Sequence, residues 1–133
     1  MVLILPFTIK EIKNLPTFYL EEEEDRWVYG NVYKKNEECF FHLDEINKII
    51  TLCCPKYVIY LQYHMTTLKL TKIIETSSCW ANDYTSYYIN SGFEIYNIEE
   101  KFYGHNLHSL ITIENNKVKT IDFNGIKFGN YQL

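Results

Sequence analysis

The sequence is short of the residues that most functions lean on. Of 133 residues only one is alanine (Ala81) and only one is arginine (Arg26), against twelve lysines. Arginine carries most bidentate contacts to phosphate and base edges, and a basic face supplies most nucleic-acid affinity. With a formal net charge of −4, the chain is not expected to bind nucleic acid directly. The five glycines are scattered, and no G-x-G-x-x-G or Walker pattern builds a phosphate-cradling loop. No run approaches the roughly 20 apolar residues a membrane-spanning helix needs. The opening MVLILPFTIKE lacks a basic n-region and a small-residue cleavage site, so it reads as a first strand rather than an export signal. No membrane association is expected. Four cysteines (Cys39, Cys53, Cys54, Cys79) without an export signal are expected as free thiols in a reducing cytoplasm.

Aromatic residues are plentiful. Twelve tyrosines, eight phenylalanines and two tryptophans make up 17% of the chain, within an apolar fraction of 47%. Such residues suit a pleated, half-buried surface, and good helix formers other than Glu, Lys and scattered Leu are sparse. The expected class is α+β and β-rich, mainly antiparallel, as one globular domain over residues 1–133. The excess of Ile, Lys, Asn and Tyr also suits an AT-rich coding sequence, as in a mobile element, virus or phage.

Along the chain, Val2–Leu5 reads as a short strand closed by Pro6. Thr8 with Glu11 is a capping-box pair for a short helix within 8–15, stopped by Pro16. Residues 26–35 and 38–42 alternate as a hairpin around the polar 34–38. Residues 44–54 give the strongest helical signal: Ile46, Ile49, Ile50 and Cys53 recur at three- and four-residue spacing, Asp44 stands as N-cap and Pro55 follows. Strands are expected at 56–63, 66–75, 84–90 and 93–98. A hairpin turning at Asn115-Asn116 comes next, because asparagine tolerates the left-handed backbone of a tight turn. Asn124-Gly125 offers another turn, giving a meander in the C-terminal half.

No constellation is chemically specific. Cys39-x-x-His42 and His105-x-x-His108 have zinc-like spacing, but Cys39 and His42 fall in a strand, where residues three apart face opposite ways. No metal and no cofactor are expected. Cys53 and Cys54, at the end of the expected helix, face a dipole that disfavours thiolate, and Cys79 is the one cysteine with a loop setting. No catalytic residue is assigned.

The pointed feature is FYLEEEEDRWVYG. Glu21, Glu22, Glu23, Glu24 and Asp25 cannot sit within a strand without putting carboxylates on both faces, so they form a connection, with Trp27 and Tyr29 on the strand that follows. Tyr84 and Tyr88 alternate in YTSYY and line one face. Tyrosine and tryptophan dominate binding hot spots, and acidic charge speeds capture of basic partners. The leading reading is a small acidic, non-enzymatic inhibitor of a basic protein partner, immunity- or antitoxin-like or encoded by a mobile element against a host protein. Its partner-binding residues would be Glu21, Glu22, Glu23, Glu24, Asp25, Trp27, Tyr29, Tyr84 and Tyr88. The alternative is a β-barrel-like binder of a small hydrophobic ligand or nucleotide. Third is a small hydrolase or RNase using His105 or His108.

Overall fold

The structure is a computed structural model. It describes residues 3–20, 26–30, 39–54, 59–76, 84–101, 111–123, 127–128 and 131–132, with the backbone course alone at 17–20, 26–30, 127–128 and 131–132. Its centre is an eight-stranded, all-antiparallel meander in which each strand pairs with the next in sequence. The strands are β1 (Thr17–Leu20), β2 (Arg26–Gly30), β3 (Phe40–Asp44), β4 (Ile49–Cys54), β5 (Ile59–His64), β6 (Leu70–Thr76), β7 (Tyr84–Ile89) and β8 (Ile95–Lys101). The expected β-rich, antiparallel class holds.

Ahead of the sheet stands α1 (Ile9–Lys13), and the capping box read from the sequence forms. The Thr8 hydroxyl accepts from the Glu11 N–H, and the Glu11 carboxylate accepts from the Thr8 N–H, each at 3.1 Å. Before it, Leu3–Leu5 does not make a full strand. Ile4 forms a single antiparallel bridge with Lys69, and the Leu5 N–H donates to the Leu68 carbonyl at 2.9 Å.

The predicted helix at 44–54 is not there. Residues 45–48 turn, and 49–54 form β4, paired with β3 on one side and β5 on the other. Asp44 does act as a cap, but of the turn. Its Oδ1 accepts from the N–H groups of Ile46 (3.2 Å) and Asn47 (3.0 Å), and the Asn47 amide donates to Oδ2 at 2.9 Å. The Asn47 N–H, then the Asn47 side chain, hold the Asp44 carboxyl below its ordinary value. Cys53 and Cys54 therefore lie in a strand, and the helix-dipole argument about their thiols falls away. Burial, then the neighbouring Cys39, pushes the Cys54 thiol well up, which keeps it protonated.

Register defines the two faces of the sheet. Leu52 is opposite Phe41 and Leu61; Leu61 is opposite Ile73; Ile73 is opposite Tyr87. With Ile50, Cys54, Ile59, Tyr63, Leu70 and Ile89 these form the core face. Two elements cover it: Leu5, Phe7, Ile12 and Leu15 from the N-terminal segment, and Ile111, Val118, Ile121 and Phe123 from the C-terminal part. Phe7 meets Phe41 edge-on, with ring centroids 6.0 Å apart.

The Asn115-Asn116 hairpin forms as expected between β9 (Ile111–Glu114) and β10 (Lys117–Ile121). Both asparagines have positive φ, 53° and 62°, as a type I′ turn requires. Instead of prolonging the large sheet, it is a separate two-stranded sheet. It abuts the start of β8, where the Ile95 N–H donates to the Asn116 carbonyl (2.8 Å) and the Val118 N–H to the Phe93 carbonyl (3.0 Å). A third small sheet pairs β11 (Lys127–Phe128) with β12 (Tyr131–Gln132). Among the described residues no helix is long and apolar enough to cross a membrane.

Ionisation of the core tyrosines gives the fold an alkaline limit. Burial, then the charges of Glu75 and Glu100, raise Tyr87 to about 12. Burial, then Cys54, pushes Tyr63 well above 10. The folded state therefore holds these protons after the unfolded chain, titrating near 10, has released them. Their contribution to stability is constant below about pH 10 and falls as pH rises from there through about 12. Urea midpoints should be lower at about pH 11 than at about pH 9, and Tyr87→Phe should reduce that difference.

Candidate functional site: the tyrosine face of the sheet

The second face of the sheet carries the sequence-derived tyrosines. Phe40, Cys53, Tyr60, Ile74, Ser86 and Glu99 form one cross-strand row; His42, Thr51, Gln62, Lys72, Tyr88 and Asn97 form the next. At the β3–β4 side this face is closed, with Phe40 and Cys53 buried. Towards β8 it opens. Tyr60, Ile74, Tyr84 and Tyr88 are half-buried, and Asn97, Glu99 and Lys101 are exposed.

Alternation along β7 sends Tyr84, Ser86 and Tyr88 to this face and Thr85 and Tyr87 to the core, as YTSYY implies. Glu99 is the register partner of Ser86, the small residue between the two tyrosines. Its carboxylate can thus reach both diagonal neighbours. The Tyr84 hydroxyl donates to Glu99 Oε1 at 3.2 Å and the Tyr88 hydroxyl to Oε2 at 3.1 Å. Burial first, then the Glu99 carboxylate, raises the Tyr84 hydroxyl above its ordinary value.

The cross-strand partners of the tyrosines are lysines. Lys72, opposite Tyr88, places Nζ 4.8 Å from its ring centroid; Lys101, opposite Tyr84, places Nζ 5.9 Å from its own. Such contacts at exposed sites contribute about 0.5–1 kcal/mol each. Tyr96 completes the group. The register shifts between Tyr88↔Asn97 and Ile89↔Ile95, so Tyr96 is an extra residue in β8, and its ring lies 6.1 Å from that of Tyr88. A bulge of this kind re-aims a side chain. Lys72, Tyr96, Glu99 and Lys101 were not singled out from the sequence. Their signal lay in strand pairing, which spacing along the chain does not reveal.

The arrangement offers rigid aromatic area with polar tips, two ammonium groups and one carboxylate. Among the other sequence candidates, Trp27 and Tyr29 lie on β2, opposite Tyr19 and Thr17 of β1, and Tyr29 is also opposite Phe41. Glu21, Glu22, Glu23, Glu24 and Asp25 lie outside the described residues, between Leu20 and Arg26, which are register partners. Cys79, His105 and His108 also lie outside the described residues. Cys39 joins the core, while His42 is half-buried on the tyrosine face. The C-x-x-H pair therefore does not converge. Compared with known proteins, the chain matches no family model, no curated protein and no solved structure.

Proposed function

We propose that the protein is a small acidic, non-enzymatic binding protein that engages a basic protein partner and blocks it, in the manner of an immunity protein, an antitoxin or an inhibitor encoded by a mobile element. The observation that supports the reading is the tethering of Tyr84 and Tyr88 to the one carboxylate of Glu99. Tyrosines restrained before binding lose little conformational freedom on contact, which is the economy of a preorganised hot spot. Glu99 adds acceptor charge beside the rings, and the run Glu21–Asp25 adds five carboxylates elsewhere on the chain. The overall negative charge would speed capture of a partner that is positive because it handles nucleic acid.

The test begins with affinity capture from the native host. The captured partner is then titrated against Tyr84→Ala/Tyr88→Ala and against a variant with Glu21–Asp25 replaced by serine. The tyrosine pair is expected to weaken binding by about 30-fold or more, the effect of losing a hot spot. The serine variant is expected to associate more slowly at low salt, with a flatter salt dependence. Unchanged binding by both variants would remove the basis of the proposal.

One observation favours a second reading, the binder of a small ligand. Glu75 and Thr85, opposite one another on the core face, are buried polar residues. The Thr85 hydroxyl has no hydrogen-bond partner among the described residues. A thermal shift with nucleotides or small hydrophobic ligands that disappears in Thr85→Val would support it.

A further inference from the structure

We propose that two copies of this chain associate through the open edge of β8, antiparallel about a two-fold axis, so that the sheet continues from one copy into the other. Strand β8 is last in the strand order and, among the described residues, pairs along its length with β7 alone. Asn116 and Val118 occupy its outer side only as far as Phe93–Ile95. Beyond Ile95 every residue of the strand is exposed, and two are large and apolar: Tyr96 at 66% and Ile98 at 50% exposure. An edge strand that shows unpaired backbone groups together with apolar side chains is a template for another strand.

The order of residues in β8 argues for a second copy as the occupant. Centred on Ile98, an antiparallel pairing over residues 96–100, the stretch beyond the Asn116 contact, sets Ile98 against its twin, Asn97 against Glu99 and Tyr96 against Glu100, with no like charges opposite. Centred on Glu99 or on Glu100, the same strand sets a carboxylate against its own twin. Centred on Asn97, only residues 96–98 can pair, because Asn116 already holds the N–H and the carbonyl of Ile95, and any longer pairing sets Glu94 against Glu100. Like charges directly opposite destabilise a strand pair, so the charges select the Ile98 register. Ile98 is opposite Tyr87, a core-face residue, and pairing it with its twin extends that apolar layer across the axis. The surface is small, which places the association among weak interfaces. An isologous contact of this kind closes at two copies and does not propagate. It would also bring the two Tyr84–Tyr88–Glu99 groups onto one continuous face, although the inference does not depend on the partner-blocking proposal.

Sedimentation equilibrium of the full chain, from about 5 to about 200 µM, reads the association directly. The wild type is expected to shift from monomer to dimer within that range, and Ile98→Lys to stay monomeric at concentrations at least tenfold higher. A wild type that is monomeric throughout, or an Ile98→Lys variant that associates as well as wild type, would overturn the proposal. Register is read separately by cysteine pairing in oxidised glutathione, with the wild-type chain as control for its own thiols. Ile98→Cys should give a covalent dimer well ahead of Glu99→Cys and Glu100→Cys; faster pairing by either of these would overturn the assigned contact. Since Ile98 is half-exposed, the cysteine series also reads the contact should Ile98→Lys unfold. If the edge instead takes up a strand of a different protein, the wild type remains monomeric and the proposal fails.

Discussion

Phe41→Ala is expected to cost about 3–5 kcal/mol, the range for emptying an aromatic site in a close-packed core. Phe41 is fully buried on β3, opposite Leu52, and its ring meets Phe7 edge-on. It thus helps join the sheet to the N-terminal segment that covers it. The aromatic pair is worth about 0.5–1.5 kcal/mol beyond the area buried. The remainder comes from lost transfer energy and from a cavity that the flanking strands, held in register, cannot collapse. Domains of this size are stable by only about 5–15 kcal/mol, so the variant should be marginal or unfolded at room temperature. Urea denaturation with matched m-values checks the figure. Phe41→Leu, which leaves most of the volume filled, should recover more than half of the loss.

Leu52→Ala is expected to cost about 2–5 kcal/mol, whereas Ile46→Ser should change stability by less than about 0.5 kcal/mol. The contrast is the sharpest test of how residues 44–54 fold. A helix running through this segment would bury Ile46 with Ile49, Ile50 and Cys53 on one side. In the structure Ile46 is 91% exposed in the turn, and Leu52 is fully buried between Phe41 and Leu61. Chemical denaturation of the two variants side by side decides between the arrangements. A large loss for Ile46→Ser would contradict the β4 assignment.

The misreading of 44–54 has a physical cause. Strand alternation is visible when one face is wet, and residues 50–54 of β4 are buried on both faces. A strand of that kind is a continuous apolar run, which periodicity cannot tell from a helix. The cap signal was equally ambiguous. Asp44 accepts N–H groups two and three residues on, and that chemistry opens a turn as readily as a helix. The β-branched run Ile49-Ile50-Thr51 was the evidence that favoured a strand.

Elsewhere the local chemistry was decisive. The Thr8–Glu11 capping box and the Asn115-Asn116 turn involve residues three or fewer apart, so their energetics are contained in the sequence that encodes them. The split of YTSYY into a tyrosine face and a core face likewise follows from the two-residue period of a strand. Composition fixed the class, since aromatic and β-branched residues without good helix formers leave few other ways to bury this surface.

The tertiary structure decided everything that depends on which strand lies beside which. Glu99 meets Tyr84 and Tyr88 only because β7 and β8 pair with Ser86 opposite Glu99. Lys72 and Lys101 reach the rings for the same reason, and Tyr96 joins them through a one-residue shift in that pairing. The β9–β10 hairpin was readable as a hairpin, but its place as cover for the core, rather than as further strands of the meander, rests on Ile111, Val118, Ile121 and Phe123 finding the sheet. The sequence by itself determined the Asn115-Asn116 turn, the short capped helix and the β-rich class, because those energies act between neighbours in the chain. Register and layering came from contacts between residues far apart in sequence, whose energies exist only once the chain has closed on itself.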